Sequence, residues 1–226
     1  MTNAHYMLNL QFCCPPPAAQ EGPNWFDCLA TILKPTLNRF LVPEDAGALT
    51  LPLHYSYGLS ILNSHLWSGA TVCISNTPIT DSSLFDWLEA AGCTNISGVP
   101  YSYELFEHTG LRKRRLKNLR FMTAAGGRLP PDTVRIYADY MNKRGGQFFV
   151  MYGQTEAAPR ISYLPPDAAL DNADCIGIAI PKGELLLIDE NGNSIKERNI
   201  PGELVYRGPN VMMGYWQNQQ ATKDSF

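Results

Sequence analysis

Phe148-Phe149-Val150-Met151-Tyr152-Gly153-Gln154-Thr155-Glu156-Ala157-Ala158-Pro159 is the stretch that decides how this chain folds. Its leading apolar run lies between Gly145-Gly146 and Gly153, the pattern of a short strand buried on both faces, as in a parallel sheet. In open α/β sheets ligands gather beyond the carboxyl ends of such strands, where loops meet helix starts and free backbone donors. The loop here offers a hydroxyl, Thr155, beside a carboxylate, Glu156. A hydroxyl donates to a phosphate oxygen, and a carboxylate holds Mg²⁺ through one oxygen while water or phosphate fills the other positions. The pair therefore reads as a nucleotide-phosphate and metal station. Taken in isolation, the two residues have a commoner explanation, a helix start with Thr155 as cap and Glu156 in the first turn.

Upstream, the pattern alternates regularly. Ala48 to Leu51 reads as a strand, Leu59 to Trp67 as a buried helix stopped by Gly69, and Thr71 to Ile74 as a strand. Ser82 or Ser83 caps a helix running to Ala91, with Leu84, Phe85 and Leu88 on one face and Gly92 at its end. Thr94 to Ser97 is again a strand, Pro100 to Phe106 a helix, and Leu119 to Thr123 a strand. Pro130-Pro131-Asp132 opens a helix that carries Val134, Ile136, Tyr137, Tyr140 and Met141 at three- and four-residue spacing. This alternation predicts an α/β fold with a mostly parallel sheet and flanking helices over residues 46–165.

After Pro165-Pro166 the character changes: Glu184 to Ile188 and Gly202 to Arg207 read as strands joined by an Asn191-Gly192 turn, so residues 166–226 are expected to form a small β subdomain. Residues 1–45 are poorly defined, with Pro15-Pro16-Pro17 and a candidate helix from about Asn24 interrupted by Pro35.

The 226 residues suffice for a sizeable core, and 45% hydrophobic against 17% charged residues suit a globular protein. A net charge of -3 gives no argument for nucleic acid or a membrane surface. Six cysteines occur without a C-x-x-C pair or a histidine at metal-ligand spacing, which suits reduced thiols and a cytoplasmic protein. No leader-like segment and no long apolar run is present, so neither export nor a membrane span is expected.

Three further stretches carry candidate chemistry. Leu51-Pro52-Leu53-His54-Tyr55-Ser56-Tyr57-Gly58-Leu59 joins a strand to a helix, where aromatic side chains either project into a cleft or pack in the core. Thr123-Ala124-Ala125-Gly126-Gly127-Arg128-Leu129-Pro130 has two glycines that let a ligand approach the backbone, or that simply shape a turn. Arg112-Lys113-Arg114-Arg115, with Lys117 and Arg120, is best read as a solvated connector; the sharper alternative is a patch for the phosphates of a ligand or for an acidic protein. His65, on an apolar helix, is expected to be a satisfied core residue.

Tyr152-Gly153-Gln154-Thr155-Glu156-Ala157 after an apolar strand closely resembles the signature loop of the adenylate-forming (AMP-binding) superfamily, which includes acyl-CoA synthetases, nonribosomal-peptide adenylation domains and luciferases. Pro201-Gly202-Glu203-Leu204-Val205-Tyr206-Arg207-Gly208-Pro209-Asn210-Val211-Met212-Met213-Gly214-Tyr215 resembles a long structural motif of the same superfamily. The resemblance implies ATP-dependent joining of a small-molecule carboxylic acid to AMP, then transfer to the thiol of CoA or phosphopantetheine. It implies that Thr155 contacts the α-phosphate and Glu156 ligates Mg²⁺. Gly126, Gly127 and Arg128 would pack on one face of the adenine, with Met151 and Tyr152 closing the other beside Gly153 and Gln154; Arg128 stands where the family usually has a small residue. In the family's acyl-pocket motif an aromatic or histidine precedes a glycine by three places. Counting from Gly58 puts Tyr55 there, with His54 shifted by one.

The family's Ser/Thr/Gly-rich phosphate loop is not found between Met1 and Pro43, where Gly22 is the only glycine, and its later ribose-binding aspartate and mobile C-terminal domain with a catalytic lysine are not in the sequence. Adenylation rests on positioning and electrostatics, and one lost donor costs on the order of 10² to 10³ in rate. The expectation is a truncated, central part of an AMP-forming acid–thiol ligase that is inactive as this chain alone, with an acyl carrier protein or a complementary polypeptide as possible partners. The alternative is a non-catalytic nucleotide-binding or interaction module that reuses the fold.

Overall fold

A computed structural model describes residues 41–225, so the candidate helix near Asn24 lies outside the described residues. The chain runs β1 (Ala46–Ala48), α1 (Ser56–Trp67), β2 (Thr71–Cys73), α2 (Ser83–Ala90), β3 (Asn95–Gly98), α3 (Pro100–Thr109), β4 (Phe121–Ala124), α4 (Pro131–Asn142) and β5 (Gln147–Tyr152). It continues through β6 (Ser162–Leu164), β7 (Ile178–Ala179), β8 (Glu184–Ile188), β9 (Glu203–Arg207) and α5 (Gln219–Lys223). The first sheet has strand order β2-β1-β3-β4-β5-β6-β7, and the second consists of β8 and β9.

Strands β1 to β5 pair in parallel, as the alternating pattern requires. Pairing turns antiparallel at β6 and β7, which extends the first sheet past the Pro165-Pro166 break to Ile178–Ala179. Successive side chains of β5 enter different packing layers, because a strand alternates faces. Phe148 joins Ile96, Met122 and the helix residues Leu84, Phe85, Leu88, Tyr103, Phe106, Val134, Tyr137 and Met141. Phe149 packs with Phe121 and Leu41, and Met151 with Tyr57 and Ile61 of α1. Helices thus cover both faces, and Tyr103 knits strands to helices with ring centroids 4.7 Å from Tyr137 and 5.6 Å from Phe148. Each such buried ring contributes on the order of 2–3 kcal/mol of hydrophobic stabilisation.

Element ends differ from the sequence reading for local reasons. Strand β1 lies at Ala46–Ala48 instead of Ala48 to Leu51, where small residues hide a strand from an apolar count. Gly47 is small because an added Cβ would lie 2.1 Å from the His65 ring. His65 is indeed a core residue, with Nδ1 2.8 Å from the Ile61 carbonyl and Nε2 in contact with the Asn95 amide. Helix α1 starts at Ser56, three residues before Leu59, since Ser56, Tyr57 and Gly58 are themselves buried. At α2 Ser82 occupies the cap position without a side-chain bond, and the Asp81 carboxylate accepts from Ser83 N instead. The Asn191-Gly192 turn does not join β8 to β9 directly; it folds back onto a single bridge between Ile188 and Ser194, and the chain pairs as β9 only from Glu203.

Four cations of the basic stretch pair with acidic neighbours: Arg112 with Glu107, Arg114 with Asp86, Lys117 with Glu89 and Arg120 with Asp45. These exposed or half-exposed pairs fasten the connector to α2, α3 and the start of β1, as a solvated connector would.

Candidate active site

Loops leaving the carboxyl ends of β1, β4 and β5 converge on one cleft, where the parallel topology collects ligand-facing loops. One lobe, of about 410 Å³, is lined by Tyr55, Ser56 and Tyr57, by Ala125-Gly126, and by Met151 to Glu156 with Pro159 and Arg160. A second lobe, of about 640 Å³, is lined by Gly126 to Leu129, Val150 to Gly153 and Ala173 to Ile176. They share Gly126, Met151, Tyr152 and Gly153, so the two lobes adjoin across the end of β5.

Backbone geometry builds this junction. Gly126 has φ +80°, and a Cβ there would lie 2.1 Å from the Tyr55 hydroxyl. Gly153 lets the chain double back, since a Cβ would lie 1.7 Å from the Pro159 carbonyl oxygen. Thr155–Ala157 forms a single 3-10 turn, not the start of an α-helix, and Ala158 ends it at φ 44°. Thr155 and Glu156 are therefore held in a tight loop that the far motif clamps. Met212 N donates to the Glu156 carbonyl at 2.8 Å, and the buried Asn210 amide donates to the carbonyls of Ala157 and Arg160. Tyr206 donates to Asn210 Oδ1 at 2.8 Å.

Both side chains of the pair line the smaller lobe. Thr155 Oγ1 is 3.3 Å from Ser56 Oγ, and Glu156 Oε1 accepts from the Tyr215 hydroxyl at 2.8 Å. Burial and the neighbouring carboxylate both push the Tyr215 phenol above its usual range, so it remains a donor. Tyr57 donates to or accepts from Thr123 Oγ1 at 2.6 Å, and burial pushes its pKa up to about 12.

Of the other sequence candidates, Tyr55, Gln154, Met151 and Tyr152 line the smaller lobe, and Gly127 and Arg128 line the larger one. His54 is exposed and lines neither lobe; Gly58 is buried in α1 and lines neither, and a Cβ there would lie 2.3 Å from the Pro52 carbonyl oxygen. Sequence reading missed Ser56, Arg160, Asn210 and Tyr215 as parts of the site. Tyr215 and Asn210 lay inside a recognised motif whose purpose the linear sequence does not show. Arg160 had a visible signal: a lone cation between Ala157-Ala158-Pro159 and the apolar start of β6.

Among the described residues no group of three or more His, Cys, Asp or Glu side chains could hold a metal ion, and no helix is long and apolar enough to cross a membrane. Cys73, Cys93 and Cys175 are unpaired.

The family model described as AMP-binding enzyme matches residues 26–216. The chain is 33% identical over 188 residues to the long-chain-fatty-acid–CoA ligase of Escherichia coli O157:H7, covering 80% of this chain and 32% of that protein. It is 28% identical over 183 residues to the indoleacetate–CoA ligase of Aromatoleum aromaticum, covering 80% of this chain and 35% of that protein. Among solved structures, o-succinylbenzoate CoA synthetase from Bacillus subtilis superposes with a TM-score of 0.73 at 25% identity, covering 87% of this chain and 39% of that one. The chain thus spans about a third of the length of the relatives it matches.

Proposed function

The chain belongs to the AMP-binding enzyme family, and from that premise we propose that it supplies the central nucleotide and acid station of an ATP-dependent, AMP-forming acid–thiol ligase. The observation that carries the reading is that Thr155 and Glu156 line the smaller lobe together with Tyr152 and Gly126, two residues that also line the adjoining lobe beside Gly127 and Arg128. The larger lobe, within the range of about 300–1,000 Å³ usual for small-molecule sites, takes the adenosine between Gly126-Gly127-Arg128 and Tyr152. The Thr155 hydroxyl donates to the α-phosphate, and the acid approaches past Tyr55 and Ser56.

Glu156 suits Mg²⁺. Its Oε1 is oriented by Tyr215, Oε2 makes no hydrogen bond among the described residues, and a lone carboxylate fits a cation held mainly by phosphate oxygens and water. When bound, Mg²⁺ supplies positive charge against the phosphates. Ser56 holds Thr155 in place, while Asn210 and Met212 fix the backbone on which the pair is mounted. Fixed donors of this kind lower the barrier because they need no reorientation as charge develops. The acid is joined to AMP and then passed to a thiol of CoA or of a phosphopantetheine-bearing carrier protein, with the unpaired thiols supporting a cytoplasmic setting.

Equilibrium dialysis of the full chain against AMP and Mg·ATP tests this reading. Saturable binding of both is expected, and binding of neither contradicts it. ATP-dependent pyrophosphate exchange with a panel of carboxylic acids then separates a ligase from a module that only binds nucleotide.

A further inference from the structure

Arg160 stands in the wall of the smaller lobe, yet only 3% of it is exposed and its guanidinium has no counter-charge among the described residues. Nη2 donates weakly to Ser60 Oγ at 3.3 Å and Ser64 Oγ at 3.4 Å, while Nε and Nη1 are buried without a partner among the described residues. Neither serine offers negative charge, since Ser60 donates its own proton to the Tyr57 carbonyl and Ser64 donates to the Ser60 carbonyl. Tyr57, the neighbouring acidic group, is held neutral by burial. Burial also pulls the Arg160 pKa down to about 10, which still leaves the guanidinium charged at neutral pH. A buried cation without an ion partner costs several kcal/mol, and two buried donors left without partners add to that cost. Chains retain such a group where a ligand completes it.

We propose that Arg160 recognises a second anionic group on the acid substrate, so that this cleft takes dicarboxylates. The assignment rests on the proposed function, because it places the reacting carboxylate beside Thr155. Ser56 touches Thr155, and Ser60 and Ser64, which carry the guanidinium, follow it by one and two turns of α1. At the helical rise per residue these lie about 6 and 12 Å beyond Ser56, which sets the separation of the two anionic groups. A planar, forked guanidinium matches a carboxylate with two parallel hydrogen bonds, and the dry surroundings strengthen the pair. The same chemistry would suit a phosphate, but the Thr155 and Glu156 end already serves that group.

The test is a calorimetric comparison on the full chain of adipate, suberate and sebacate with hexanoate, octanoate and decanoate, with and without AMP. At least one diacid is expected to bind roughly 10- to 100-fold more tightly than the monoacid of the same length, and Arg160→Met to bring that ratio near unity. Equal binding of diacids and monoacids by the unmodified chain overturns the assignment, and this comparison requires no variant to fold. An equal loss of ATP affinity in Arg160→Met would put a phosphate on the guanidinium and also overturn it. Failure of AMP to bind, with the diacid preference intact, would count against the nucleotide reading and not against this one.

Discussion

The Tyr215 hydroxyl donates to Glu156 Oε1 at 2.8 Å, across 59 positions of sequence. This bond ties the far motif to the proposed metal-holding carboxylate and holds its Oε1 in place. Removing it in Tyr215→Phe leaves the apolar packing of the ring but lets the carboxylate rotate. Groups that orient a ligating side chain typically matter by 10- to 100-fold, so we expect roughly a tenfold weaker Mg²⁺ dependence of ATP binding. A magnesium titration at fixed ATP measures it, with little change in thermal stability, since one neutral-to-charged hydrogen bond at a half-buried site contributes only about 1–2 kcal/mol.

Asn210 is fully buried and its amide donates to the carbonyls of both Ala157 and Arg160. Asn210→Ala strands those two acceptors and the Tyr206 hydroxyl that donates to Asn210. The expected loss is about 2–4 kcal/mol, because each buried polar atom left unpaired costs its desolvation. Urea unfolding should show a lower midpoint with an unchanged slope.

Gly126→Ala meets two obstacles: φ +80°, and a Cβ 2.1 Å from the Tyr55 hydroxyl. Tyr55 must swing out of the cleft and the backbone must bear the strain, for about 1–3 kcal/mol. Because Gly126 lines both lobes, AMP affinity should fall together with stability. Calorimetric titration with AMP reads this out, and unaltered affinity would contradict the placement of the adenine beside this loop.

His65 provides a pH prediction. Burial depresses its folded-state pKa below the ordinary value of 6.5, despite hydrogen bonds to Ile61 and Asn95 that oppose the shift. The folded state therefore favours the neutral ring, and the unfolded chain binds a proton more readily. Stability is fully present above about pH 6.5 and falls as the pH drops below it toward the folded-state value. Thermal melts of the chain and of His65→Gln across this window should show a shallower acid slope in the variant.

Much of this architecture was legible in the chain because parallel strands announce themselves as short apolar runs between helical repeats. The glycine-bounded run at Phe148 marked β5, and Leu84, Phe85 and Leu88 marked the buried face of α2. Strand β1 was misplaced because its residues are small for a tertiary reason, the His65 ring lying against Gly47. The turn at Asn191-Gly192 was read correctly as a turn but assigned the wrong partner, since local turn chemistry does not say how far the returning strand extends before pairing. At the site, Thr155 and Glu156 were visible because they are adjacent. Asn210, Tyr215 and Arg160 act through contacts with residues from distant segments, and no periodicity in a single sequence encodes those meetings.

The most direct test of the central claim is the Mg²⁺ dependence of ATP binding to the full chain compared with Glu156→Gln and Thr155→Ala. If the two side chains serve a phosphate and its cation, the unmodified chain binds ATP more tightly with Mg²⁺ than without. Glu156→Gln should then abolish that enhancement, and Thr155→Ala should weaken binding about 3- to 30-fold at every Mg²⁺ concentration, the worth of one charge-assisted hydrogen bond. Identical titration curves for all three proteins would contradict the account.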